Sequence, residues 1–117
     1  MDKTDLELNI ARDFSKTPAG RSKKAHGLHS GESFRETKLF PMLQKAINSN
    51  SKLVVFLDGT AGYPASFLDE AFGGLIRKRL CDKEMVKKHL IVKANNPAYE
   101  AYKKLIERYI KDALPQN

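Results

Sequence analysis

Residues 53–57, Leu-Val-Val-Phe-Leu, constrain this chain more than any other stretch. Five consecutive apolar residues, rich in β-branched side chains, leave no face for solvent. Such a strand is buried on both sides, as the central strand of a parallel sheet covered by helices is. Lys52–Leu57 is therefore the clearest predicted strand, and the rest of the chain must supply its neighbours and its cover.

It does so in alternation. Leu6, Leu8 and Ile10 alternate with polar residues, the period of a half-buried strand, with Phe14 extending or closing it. Residues 15–32 are loop-like, with Pro18, Gly20, Gly27 and Gly31. The loop is long for a small domain, and a hairpin turning at Gly20-Arg21-Ser22 is one way to fold it. A first helix starts near Ser30 or Ser33, where Ser33-x-x-Glu36 fits a capping box, and Leu39, Leu43, Ala46 and Ile47 form its apolar stripe. Pro41 removes a helical N–H, so a kink or restart is expected near Phe40, and residues 48–51 end the helix. A second helix is predicted from Ser66 to Leu80, with Ser66-x-x-Asp69 repeating the capping box and Phe67, Leu68, Ala71, Phe72, Leu75 and Ile76 facing inward. His89–Lys93 reads as a third strand. Asn96 then caps a third helix with Pro97 in its first turn, where a missing N–H costs nothing. The order α–β–α–β–α after the loop gives an α/β fold: a small mixed, largely parallel sheet flanked by helices, in one domain over residues 1–117.

Charge is uneven. The chain carries a net +7, with Lys16, Arg21, Lys23 and Lys24 in one cluster and seven basic residues against two acids over residues 77–93. Such patches attract anions, acidic protein faces or nucleic acid, or simply keep a surface solvated. Aromatic residues do not interleave with the basic ones as in a single-strand binder. No apolar run reaches the ~18–20 residues of a membrane span, and the opening MDKTDLELNI lacks the basic-then-apolar order of a secretory signal. Cys81 is alone, so a reducing cytoplasm is the expected compartment.

Candidate sites follow from these placements. Ser66 stands where a helix starts just past a buried strand, a place where ligands and regulatory groups gather in α/β sheets. It is either a plain N-cap or a phosphorylation switch, with Asp69, Glu70 and Asp58 opposing the attraction of a phosphate to the helix end. Gly73-Gly74 in mid-helix costs roughly 2 kcal/mol relative to alanine, offset either by close packing on the sheet or by a smooth face for a partner. His26, His29 and Glu32 have metal-ligand residue types but sit in a flexible loop with no second cluster, so no metal is expected. Arg21, Lys23, Lys24, Ser30, Gly31 and Arg35 could gather around an anion at the first helix start. No phosphate-loop, dinucleotide, serine-elbow or paired-cysteine zinc pattern occurs, no cofactor is implied, and Cys81 reads as structural.

Two blocks carry a family likeness: GRSKKAHGLHSGESFRE at 20–36 and DGTAGYPASFLDEAFGGL at 58–75. With them the chain resembles, over roughly residues 5–113, the STAS-like family of uncharacterised prokaryotic proteins, relatives of the anti-sigma factor antagonists. The resemblance implies the antagonist α/β fold and a partner-switching role with a protein partner of the histidine-kinase-type ATPase class. It places the antagonists' phosphorylated serine at or near Ser66, although Pro64-Ala65-Ser66-Phe67 stands where antagonists show Asp-Ser before a small residue. The resulting expectation is a non-enzymatic cytoplasmic regulatory module. It docks its partner through Asp58, Tyr63, Pro64, Phe67, Asp69, Glu70, Gly73 and Gly74, with Ser66 as phosphate acceptor or sensor. The competing expectation is an anion- or nucleic-acid-binding module built on the basic 15–35 segment; a membrane partner is not expected.

Overall fold

The computed structural model describes residues 4–117, so the first three residues of the N-terminal stretch read above lie outside the described residues. Its sheet has three strands in the order β1 (Leu6–Asn9), β2 (Leu53–Phe56), β3 (Leu90–Lys93), and both pairings are parallel. Leu53 pairs with Leu6 on one side and Leu90 on the other, and Val55 with Leu8 and Val92. The unbroken apolar run thus takes the centre, as its composition requires. Among the described residues the sheet is wholly parallel, where a mixed, largely parallel one was expected.

β1 does not continue through Ile10. Asn9 caps a single helical turn, Ile10–Asp13, by accepting from the Arg12 N–H, and Phe14 then turns inward against Phe34 and Phe67. The 15–32 segment forms no hairpin. It holds a helical turn, Lys23–His26, and a 3-10 turn, Gly27–His29. Its ends are tied by backbone bonds from Ala19 N–H to the His29 carbonyl, Gly31 N–H to Gly20 and Glu32 N–H to Arg21. Ser15 Oγ lies 2.8 Å from His29 Nδ1 across the same neck.

Helix α1 runs over residues 31–48. Ser30 is its cap, accepting from the Ser33 N–H at 3.1 Å. The Ser33–Glu36 capping box does not form, because the helix already begins at Ser30 and Ser33 lies inside it; Glu36 is held at 2.6 Å by Lys23 Nζ. The stretch Arg35–Leu39 is π-helical, and α-geometry resumes at Phe40–Asn48. The Phe40 N–H bonds to the Arg35 carbonyl, five residues back. This wider turn absorbs Pro41, which has no N–H to give the carbonyl four residues back and would crowd it.

Helix α2 covers residues 65–77, with a second π-helical stretch at Asp69–Gly73. Pro64 caps it without a side-chain hydrogen bond, so Ser66 is its second residue and not its cap. It stops short of Leu80, where Arg79 adopts a left-handed φ of 58°. Helix α3, Lys83–His89, was not foreseen from sequence: Asp82 caps it by accepting from the Met85 N–H at 2.9 Å, but its run of lysines shows little apolar periodicity. His89 belongs to this helix, buried, with Nδ1–H donating to the Ser51 carbonyl at 2.7 Å. Asn96 accepts from the Ala98 N–H, a 3-10 turn Pro97–Tyr99 follows, and helix α4 runs Glu100–Asp112. α4 packs along α2, while α1 lies against β2 and α3. The core gathers Leu8, Val55, Phe34, Phe67, Leu75 and Ile106.

Candidate functional site

The loop leaving β2 is held on several sides. Asp58 accepts from the backbone N–H groups of Asn95 (2.9 Å) and Asn96 (2.6 Å), so its carboxylate fixes the connection from β3 to α4. Gly59 and Gly62 turn the chain at φ 101° and 117°, a region that only glycine enters freely. Tyr63 is buried, donates its hydroxyl to the Leu57 carbonyl at 2.7 Å, and packs edge-on against Tyr99 and Tyr102. Burial pushes the Tyr63 phenol far above its ordinary value. Of the predicted docking residues, Tyr63 and Phe67 are therefore interior, Asp58 serves this chain's own loop, and Pro64 is exposed with Ser66 half-buried beside it.

One turn along α2 the two π-helical stretches meet. α1 and α2 run side by side in the same direction, Gly31 against Phe67 and Arg35 against Glu70 and Gly74. Arg35 is 2% exposed, and its Nη1 donates to both the Glu70 carboxylate and the Glu70 carbonyl at 2.6 Å. Arg21 reaches from the long loop to Asp69 at 2.9 Å and to Glu70 at 3.5 Å. Arg77 closes the group from below, donating to the Asp69 carboxylate at 3.0 Å and carbonyl at 2.9 Å. Burial works against the charge on both acids. The hydrogen bonds from Arg21 and Arg77 outweigh it at Asp69, and those from Arg35 and Arg21 at Glu70, so both carboxyls titrate below their ordinary values.

This seam explains the glycine pair. A Cβ on Gly74 would stand 2.2 Å from Arg35 Nη1, and one on Gly73 2.7 Å from Arg77 Nη1. Both glycines are buried within the chain. Neither contact with the sheet nor an open partner face accounts for them: they make room for this chain's own guanidinium groups.

The alternative anion cluster is also redirected. Arg21, Lys23 and Arg35 are each paired with an acid of this chain, Ser30 is buried and spent as a cap, and the Gly31 N–H bonds to Gly20. Lys24 stays exposed on its short turn. His29 meets Ser15, Glu32 accepts from the Lys23 N–H, and His26 sits over Gly20. Among the described residues no three His, Cys, Asp or Glu side chains gather as a metal site would need. Ser15 is buried and accepts from the Thr17 N–H while touching His29, so this pair staples the loop neck. Cys81 is half-buried, and burial, with Asp82 adding to it, raises its thiol above the ordinary value.

Sequence reasoning missed Arg77 and the link between Arg21 and the acids of α2. Arg77 lies eight residues after Asp69, and only the π-helical stretch between them brings the side chain back onto it. No spacing rule carries that signal. The family model for a STAS-like domain of unknown function (DUF4325) matches residues 30–100, well over half of the chain. That span contains Arg35, Asp69, Glu70, Gly73, Gly74 and Arg77. No curated protein and no solved structure matches the chain.

Proposed function

We propose that this chain, which belongs to the STAS-like domain family of unknown function, is a non-enzymatic cytoplasmic regulatory module of the partner-switching type. It engages a protein partner, in this reading a histidine-kinase-type ATPase, at the 58–66 loop and the first turn of α2, with phosphorylation of Ser66 as the control. The observation that carries this reading is the position of Ser66. It is the second residue of α2, half-buried beside exposed Pro64 and Ala65, and Pro64 rather than Ser66 is the cap. The hydroxyl is thus not spent on capping, the bland explanation for a serine at a helix start.

The surroundings favour a phosphate more than the bare sequence suggests. Asp69 and Glu70, three and four residues on and so on the same helix face as Ser66, are each held by two arginines. A dianion on Ser66 would meet the positive end of α2 and a compensated pair of acids, with Arg21 half-exposed nearby. The polar groups here are arginines and carboxylates committed to one another, a fixed scaffold for a docking loop and not an acid–base pair facing a substrate. The basic 15–35 segment supports nucleic-acid binding less well, because its arginines already satisfy acids within the fold.

The test is affinity for the partner isolated from native cells, with the phosphorylation sites of the bound form mapped. Ser66→Ala should bind like the unsubstituted chain, and Ser66→Asp at least about tenfold more weakly or more tightly, a difference of about 1.4 kcal/mol. Equal affinity of the two variants ends the switch reading.

A further inference from the structure

Ser66 lies at one end of α2; the other end, roughly 16 Å away at 1.5 Å per residue, borders a different surface. There a groove of about 720 Å³ opens between the second half of α1, the end of α2, the start of α3 and the C-terminal tail. Its walls are mostly apolar, with Phe40, Ile47, Ile76, Leu80, Met85 and Leu114, and the α1 side adds Gln44 and Asn48. Leu80 is 38% and Leu114 70% exposed, so two large side chains are left in water at its lips. Phe40 and Leu80 also line a neighbouring hollow of about 260 Å³, so groove and hollow adjoin at these two side chains as a divided trough.

The far end of the trough is polar. Arg35 and Lys78 line the hollow with Glu32 and Glu36. Glu36 is held by Lys23 Nζ and Glu32 by the Lys23 N–H, whereas Lys78 is exposed and makes no ion pair among the described residues. The Arg35 Nε–H is buried with no acceptor in the described chain. Along the groove rim, Arg79 and Lys83 face a single acid, Asp82, whose carboxylate is occupied as the α3 cap. Lys83 and Arg79 themselves are bonded only to neutral acceptors, the Lys111 carbonyl and the C-terminal Gln116 and Asn117. Lys78, Arg79 and Lys83 thus face Glu32 and Asp82, whose bonds are to neutral N–H groups, so the lining keeps a net positive charge, and this is where the first part of the basic 77–93 run comes to lie.

We propose that this trough is a docking site, independent of Ser66, for an acidic, leucine-bearing peptide segment of a partner protein. Its apolar side chains enter between Phe40 and Met85, flanked by Leu80 and Leu114. A carboxylate about one helical turn away meets Lys78, and further acids meet Arg79 and Lys83.

The probe is a fluorescein-labelled helical peptide of glutamate and leucine at heptad spacing, with its lysine–leucine counterpart and phosphatidylglycerol vesicles as separate arms, titrated into the full isotope-labelled chain. The acidic peptide should shift the amide signals of Leu80, Cys81, Met85 and Leu114 and leave Ala65–Leu68 in place. Leu114→Ser and Lys78→Glu, both at exposed positions, should each weaken it about tenfold, as loss of an anchor or its facing charge does. Ser66→Asp should bind the peptide unchanged, so failure here leaves the Ser66 reading standing, and the reverse. Absence of binding, equal binding of the lysine–leucine peptide, shifts confined to other residues, tighter binding to the vesicles at the same residues, or a loss of affinity in Ser66→Asp would each overturn the proposal.

Discussion

Gly31, Gly73 and Gly74 look alike on a helix and differ in what faces their missing side chains. At Gly31 a Cβ would stand 2.4 Å from the Phe67 carbonyl oxygen, a backbone atom fixed by α2. At Gly74 it would strike Arg35 Nη1, the end of a flexible side chain, but one that is buried and bonded twice to Glu70. At Gly73 the obstacles are the ends of two side chains, Arg77 Nη1 at 2.7 Å and Asp69 Oδ1 at 3.0 Å, a pair 21% and 23% exposed, so a shift there strains their mutual bond and moves no backbone atom. Gly31→Ala and Gly74→Ala should therefore lose about 1–3 kcal/mol or more to overpacking. Gly73→Ala should come out near neutral, since the helix propensity regained is about 1 kcal/mol. Urea midpoints at constant m-value give the order.

For the paired helices α1 and α2, the consequence is a sensitivity to acid. Asp69 and Glu70 titrate below their ordinary values of 3.8 and 4.5 in the folded chain. A depressed carboxyl stabilises the fold fully above its unfolded value, and that contribution disappears as the pH falls through the folded one. Melting temperature should hold steady toward neutral pH and fall steepest below about pH 4, where the unfolded chain takes up protons that the seam refuses. Asp69→Asn should lower the neutral-pH melting temperature and flatten the acid limb. An unchanged acid limb in that variant would show that other carboxylates dominate it. The same seam limits what spacing can reveal: a helix start near Ser30 or Ser33 and the restart at Phe40 are readable locally, while the capping boxes at Ser33 and Ser66 fail because the helices begin earlier, at Ser30 and Pro64, and Glu36 and Asp69 pair with Lys23, Arg21 and Arg77.

At the scale of the whole molecule, stability should be graded outward from β2. Its residues Leu53–Val55 are buried and paired on both sides, so their amides should exchange only through global unfolding. The 15–32 segment is fastened by a few backbone bonds at its neck, the Ser15–His29 contact and the partly exposed ion pairs of Arg21 and Lys23. It should open at lower free energy and exchange faster, and hydrogen exchange as a function of denaturant separates the two classes. Equal protection of loop and central strand would contradict the grading.

The apolar run 53–57 by itself determined a central strand buried on both faces, and the alternation of elements around it a largely parallel sheet covered by helices. Local patterns added the Asn96 cap, a first helix starting at Ser30 or Ser33, and the break near Phe40. These rest on backbone burial and on hydrogen bonds within a few residues, which a linear sequence displays. Tertiary structure decided the remainder: that Ser66 is left free of the cap, that Gly73 and Gly74 serve arginines, and that Arg21 crosses 48 positions to reach Asp69. A charged side chain pairs with whichever opposite charge the folded backbone sets within ~4 Å, at any distance along the chain. Sequence shows which groups are charged; only the fold chooses their partners.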